Sequence, residues 1–190
     1  SLVVASGRAS AQDAAGPAPF DRERYHALRT EAEAKVAEGS YALAHALYTE
    51  ARRQELPPAE ARWVRFRLAD TLWRAQAASA SADDTQINRA QQELEALARA
   101  VARVEDRDRV WAEVQESLAD LVWHGRQYGT WHQAWPDYAA ALDWWARSPD
   151  IDTARARYLR IIHKAARPGW SERAYWGDYG CYGESIPLDV

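Results

Sequence analysis

Between Asp21 and Arg167 apolar residues return at three- and four-residue steps, separated by Arg, Glu and Gln, and few Gly or Pro interrupt the periodic runs. This pattern predicts helices over residues 21–38, 40–54, 58–77, 84–103, 107–125, 131–146 and 152–166, and so an all-α fold. Punctuation falls between the runs. Pro57-Pro58 parts the second from the third, since proline suits the first turn of a helix and not its interior. Residues 78–84 (ASASADD) form a polar connection in which Asp83 or Asp84 can cap the next helix. Residues 148–152 (SPDID) are a second stop and start.

The stretch 39–51 (GSYALAHALYTEA) sets Gly39, Tyr41, Ala44, Tyr48 and Ala51 on one side of a helix. Ala44 and Ala51 let another helix approach, while Tyr41 and Tyr48 fill the space beside them. Gly129, Trp131, Ala134, Tyr138 and Ala141 repeat that spacing. Residues 67–73 (RLADTLW) are echoed fifty positions later by 117–123 (SLADLVW). The two echoes belong to different helices of one unit, and imply helix pairs that bury their apolar faces by stacking on neighbours.

These residues resemble the tetratricopeptide repeat family. Gly39-x-Tyr41-x-x-Ala44-x-x-x-Tyr48-x-x-Ala51 looks like its second half-repeat, Leu68-Ala69-x-x-Leu72 and Leu118-Ala119-x-x-Val122 like its first, and Ala90, Leu94 and Leu97 fit the second half of a middle unit. The resemblance covers about residues 24–146. It implies a right-handed solenoid of antiparallel helix pairs, about three pairs followed by a C-terminal helix. Two departures stand out: the units run to about fifty residues rather than the family's ~34, and the helix before Gly39 lacks the expected large aromatic.

The family's concave groove, which receives extended peptides, is lined by the first helix of each pair. Carried onto this chain, the resemblance implies a groove of Trp63, Phe66, Asp70, Trp73 and Arg74 on helix 58–77, continued by Glu113, Glu116, Asp120, Trp123 and His124 on helix 107–125. The competing reading makes Trp73 and Trp123 packing residues between units. Arg155, Arg157, Arg160, Lys164 and Arg167 flank an apolar face of the last helix. They offer a surface for anionic lipid or an acidic partner, or form the solvated side of a core-packed helix, the reading that the acidic balance favours.

Catalytic signals are sparse. His124 and His132, with Asp120 nearby, have neither the tight helical spacing nor the Cys cluster of a zinc site, so no metal and no cofactor is expected. Carboxylates are plentiful but nothing sets two across a substrate, and neither a phosphate loop nor a Ser nucleophile motif is present. The expectation is a protein without enzymatic activity.

A formal net charge of -4 argues against nucleic acid as a partner. No run approaches the ~18 apolar residues of a membrane span, so membrane contact is not expected. Trp 10 and Tyr 9 against Phe 2 and no Met put amphipathic rings in the interior or in a groove. Residues 1–20 read as a disordered tail or signal-peptide remnant: Ala9-Ser10-Ala11 has the small-x-small form of a cleavage site, which points to export into the periplasm or cell envelope. Cys181 stands alone, without an intrachain disulfide partner. Residues 170–184 (WSERAYWGDYGCYGE) replace helix formers by aromatics and glycines, as a packing lid or a carbohydrate-stacking segment, and residues 168–190 read as leading into a further domain.

The signal-like start, the helix pairs, Trp144-Trp145 and the Tyr/Gly segment together resemble the helical N-terminal region of large bacterial alpha-2-macroglobulin-like proteins, exported traps for proteases. The family's Cys-Gly-Glu-Gln thioester is not carried over, because 181–185 reads Cys-Tyr-Gly-Glu-Ser. The expectation is therefore a non-catalytic interaction scaffold in the cell envelope, or, as the second resemblance implies, the N-terminal module of such a trap, whose partner is a protein, an extended peptide or downstream domains of its own chain. The alternatives are a carbohydrate-binding or carbohydrate-active helical protein and a purely structural spacer.

Overall fold

A computed structural model describes residues 16–124 and 131–165, except for the side chains of His124, Trp131 and Ala165. Residues 1–15, 125–130 and 166–190 lie outside the described residues, and with them the cleavage-site, Cys181 and aromatic C-terminal readings. The described chain is all-helical: α1 (Arg22–Ala37), α2 (Tyr41–Ala51), α3 (Pro58–Ala77), α4 (Asp84–Arg99), α5 (Arg109–His124), α6 (Trp131–Trp145) and α7 (Ile151–Ala165), with a 3-10 turn at Val104–Asp106.

Local chemistry sets the helix ends. Asp21 caps α1 through the Arg24 amide and Asp83 caps α4 through the Thr85 amide, each satisfying a donor that the first turn leaves open. Gly39, at φ 78°, closes α1: its amide donates to the Val36 carbonyl at 3.0 Å and the Ser40 amide to the Lys35 carbonyl at 2.8 Å, a Schellman pattern that needs the left-handed conformation glycine adopts freely. Helix α2 stops at Ala51 rather than running to residue 54. There the chain turns, and the Ala18 amide donates to the Arg53 carbonyl at 2.9 Å while the Glu55 amide donates to the Ala18 carbonyl at 2.7 Å. Residues 18–20 thus touch the helical body, and Phe20 packs on the core beside Tyr25. Helix α4 ends at Arg99, where the predicted 84–103 is cut short before the 3-10 turn.

Each helix packs on the next, and α3 also packs on α5. Small and large residues alternate at these seams. Ala44, Tyr48 and Ala51 on α2, Ala90, Leu94 and Leu97 on α4, and Ala134, Tyr138 and Ala141 on α6 are all buried, at the same three- and four-residue steps. Helix α5 is the centre: every residue from Trp111 to Leu121 is buried, its apolar side chains against α3, α4 and α6 and its carboxylates elsewhere. Among the described residues no helix is long and apolar enough to cross a membrane.

Candidate functional site

Burying one side of α5 in apolar contacts leaves Glu113, Glu116 and Asp120, at steps of three and four, on another. They line a cavity of about 660 Å³ together with residues of α1, α3 and α7. A smaller cavity of about 400 Å³ adjoins it, sharing Glu33, Arg67 and Arg157. Helices α1, α3 and α5 contribute in the same order: Arg29, Glu60, Trp63 and Arg109 from their earlier turns line the smaller space, and Ala37, Arg74 and Asp120 from their later turns line the larger. Helix α7 gives Arg157 to both and Arg160 and Lys164 to the larger.

Charged side chains form a ladder of alternating sign across these walls. Arg67 Nε donates to Glu33 Oε1 at 2.8 Å, and its Nη1 lies 3.3 Å from Asp70 Oδ2. Arg74 bridges α3 to α5, with Nε 2.8 Å from Asp70 Oδ1 and Nη2 2.7 Å from Asp120 Oδ2. From α7, Arg160 Nη2 reaches Asp120 Oδ2 at 3.0 Å and Lys164 pairs with Asp120 Oδ1. Arg157 closes the series on Glu116 Oε2 at 3.3 Å and Glu113 Oε1 at 3.1 Å. Neutral donors take the remaining lone pairs. Ser117 Oγ donates to Asp70 at 2.7 Å, Trp73 Nε1 to Ser117 Oγ at 3.0 Å, Tyr138 Oη to Asp120 at 2.5 Å and Trp145 Nε1 to Glu116 at 2.8 Å. Tyr48 on α2 donates to Glu33 as Tyr138 on α6 donates to Asp120, so the tyrosines of the small-and-large seams support the carboxylates of the preceding helix.

Burial by itself raises a carboxyl pKa; here the cations decide the outcome. Burial of Asp70 is outweighed by Arg74 and Arg67, and burial of Asp120 by Arg74, Lys164 and Arg160, so both stay below the usual carboxylate range. For Glu116 burial wins against Arg157 and Arg160, and the carboxyl is raised. Burial lowers the Lys164 ammonium to about 8 against the pull of Asp120, with Arg160 and Arg74 adding to the decrease. The Ser117 hydroxyl faces a carboxylate held ionised by two guanidiniums, a weak base and so a poor activator of a nucleophile.

Of the residues expected in a groove, Phe66, Asp70, Trp73, Arg74, Glu113, Glu116 and Asp120 line the larger cavity and Trp63 the smaller. Trp123 lies elsewhere, half-buried against the cluster of Ala119, Ala134 and Tyr138, and the His124 side chain is outside the described residues. The rings that do line the cavities are not free anchors. Trp63, Phe66 and Trp73 are 6%, 2% and 2% exposed, so a ligand gains little by covering them, and Trp73 has already given its N–H to Ser117. Trp111 and Trp145 are likewise buried, which leaves these rings no open face for a sugar.

The groove reading left out Glu33, Arg67 and Ser117, and it set Arg157, Arg160 and Lys164 apart as a basic face of the last helix. The solvated-face reading of the last helix is overturned for Arg157 and Lys164, which turn inward onto α5, while Arg160 pairs with Asp120 and stays 41% exposed. A signal was present. Arg67, Asp70 and Arg74 on α3, the acidic triplet on α5, and Arg157, Arg160 and Lys164 on α7 share one spacing, 46 and then 44 positions apart. The same two offsets carry Ala44 to Ala90 to Ala134. The fifty-position echo is thus four residues out of step, one helical turn or about 6 Å along the axis, which is why it matched Trp123 to Trp73.

No group of three or more His, Cys, Asp or Glu among the described residues is arranged to hold a metal ion. Comparison with family models, curated proteins and solved structures finds no match to the chain.

Proposed function

We propose that this chain is a non-catalytic interaction module, a right-handed solenoid of tetratricopeptide-like helix pairs that receives an extended polypeptide segment along the cavities of α1, α3, α5 and α7. The carrying observation is the common order in which α1, α3 and α5 contribute to two adjoining cavities, both also lined by α7, which together run along the helix axes. Short connections between sequentially packed helices, and the recurrence of the small-and-large triplet on α2, α4 and α6, support the repeat reading. The interlocked side chains supply preorganisation, which lowers the ordering cost of binding. The setting, the cell envelope, rests on the signal-like start and on the resemblance to exported alpha-2-macroglobulin-like proteins.

A steric block tests the reading. Ala37 and Ala78 stand exposed at the mouth of the larger cavity, so Ala37→Trp with Ala78→Trp fills it without entering the core. Twelve-residue peptides selected from a random display library against the full chain are expected to lose at least about tenfold in affinity, or ~1.4 kcal/mol, for the blocked variant. Selected peptides that bind both proteins alike would sink the groove. A second reading, a structural spacer, is favoured by the fact that the ladder's charges are already paired within the protein; it expects no selected binder at all.

A further inference from the structure

The cavities contain both signs of charge, but not at the same depth. Asp70, Glu113, Glu116 and Asp120 lie at the bottom, their side chains 3%, 2%, 1% and 1% exposed. Above them stand the cations: Arg109 is 56% exposed, Arg160 41%, Arg157 20% and Lys164 17%. An entering group therefore meets the exposed guanidiniums of Arg109 and Arg160 at the opening, beside the part-exposed Glu33 and Glu60, and the buried carboxylates of α3 and α5 only from behind. In the smaller cavity four arginines, Arg29, Arg67, Arg109 and Arg157, face two lining carboxylates, Glu33 and Glu60. Two of these arginines are oriented by one indole, the Arg29 and Arg67 guanidiniums lying 4.6 Å and 4.8 Å from the centroid of Trp63. The indole face and the ion pairs with Glu60 and Glu33 hold both guanidiniums in place before a ligand arrives.

We infer that the occupant of these cavities is an acidic polypeptide segment, read through the side-chain carboxylates of spaced Asp and Glu residues rather than through a chain terminus. The inference rests on the groove reading above and names its partner class. Spacing matters because Glu33 and Glu60 stay part-exposed at the rim, 34% and 29%. A dense row of phosphates would be repelled there, whereas an extended chain brings a charge to the same side only at every second residue, ~6–7 Å apart. The chain's formal charge of -4 adds to that discrimination, since the cationic face is local and not a general field.

The test uses the full chain and four probes: three twelve-residue peptides, acetylated and amidated at their ends, carrying alternating Glu, Ser or Lys among Gly and Ala, together with inorganic phosphate. Calorimetry at low salt is expected to show the Glu peptide binding at least ~10-fold more tightly than the Ser peptide, no heat from the Lys peptide, and weakening as salt screens the exposed cations. Arg109→Gln and Arg160→Gln, both at well-exposed positions, are expected to reduce affinity for the Glu peptide by about threefold to tenfold each, with helical circular dichroism unchanged.

Equal binding of the Glu and Ser peptides overturns the acidic partner while leaving the groove standing. Binding of phosphate without the Glu peptide, or of the Lys peptide alone, overturns it too. Binding of no peptide, with the steric block also without effect on displayed peptides, removes the groove reading and the inference together.

Discussion

Asp120 carries one charge and meets three cations, Arg74 from α3 and Arg160 and Lys164 from α7, as well as the Tyr138 hydroxyl. Its side chain is 1% exposed, so water cannot take over if the carboxylate is lost. Breaking such a site from one side leaves buried charge uncompensated, a change that costs about 3–5 kcal/mol. Asp120→Asn, which keeps the shape and the acceptor for Tyr138, is therefore expected to lower unfolding free energy by about 3 kcal/mol in urea at neutral pH. Asp143→Asn on α6, which breaks an exposed pair with Arg147 just past the helix end, is expected to cost under about 1 kcal/mol. Equal losses in the two variants would show that depth in the cavity does not matter. The sign with pH follows from the same geometry. The folded Asp120 carboxyl lies below its unfolded value near 3.8, so its contribution is present above that value and disappears as pH falls further into the acid range.

Helix α6 shows what an element tolerates when its packing is strong. Pro136 sits inside it, without an amide to donate to the carbonyl four residues back, yet the helix runs from Trp131 to Trp145 because Ala134, Tyr138, Ala141, Leu142 and Trp145 are all buried along it. The neighbouring Asp137 opposes that packing. Burial, with the like charge of Glu95 from α4 added, raises its carboxyl to about 6. The folded pKa is raised, so the stabilisation belonging to the protonated form is complete below the unfolded value near 3.8 and is lost as pH rises through 6. Asp137→Asn is expected to gain ~1 kcal/mol at pH 7, a figure reduced for partial exposure, and the gain should shrink to nothing by about pH 4. Urea titrations at the two pH values check this; a gain independent of pH would assign the effect to something other than charge.

The seven helices of the described residues were readable from the sequence, α6 included, because apolar periodicity reports burial and burial overrode a single proline. The charged cavity was readable only by half. Hydrophobic patterning identifies the side of a helix that faces away from the apolar core, but it cannot say whether that side meets solvent or a second wall of opposite charge. For α7 the basic triplet Arg157, Arg160 and Lys164 looks the same in both cases until it is set beside the acidic triplet of α5 at the same spacing. Trp73 and Trp123 pose a different difficulty. Both are large and amphipathic, and only the offset between helices, 46 positions and not fifty, separates the one at the cavity from the one behind it.

Across the whole molecule the helices are not held alike. Helices α1 to α6 close on one another through buried apolar residues, with α5 enclosed on every side. Among the described side chains of α7, Ile161 is the buried apolar one, and the helix faces α5 across the larger cavity through the long side chains of Arg157, Arg160 and Lys164. Its other side leaves Ile151 74% and Leu159 47% exposed among the described residues. Local opening requires only the contacts of the opening unit to break, so α7 should open at lower free energy than the body that contains α3 and α5. The contacts across the cavity are electrostatic, and with Arg160 41% exposed they are open to screening at a Debye length of ~3 Å in 1 M salt. Native-state hydrogen exchange is therefore expected to show α5 amides exchanging slowest and α7 amides markedly faster, with 1 M NaCl speeding α7 by about tenfold while leaving α5 within about a factor of two. Arg157→Met and Arg160→Met together should reproduce most of the effect of salt on α7 and leave it less sensitive to further salt. If α7 amides were as protected as those of α5 and indifferent to salt, its single buried isoleucine and half-buried neighbours would be holding it, and the ladder would serve the cavity's charge rather than the joining of the last helix to the rest.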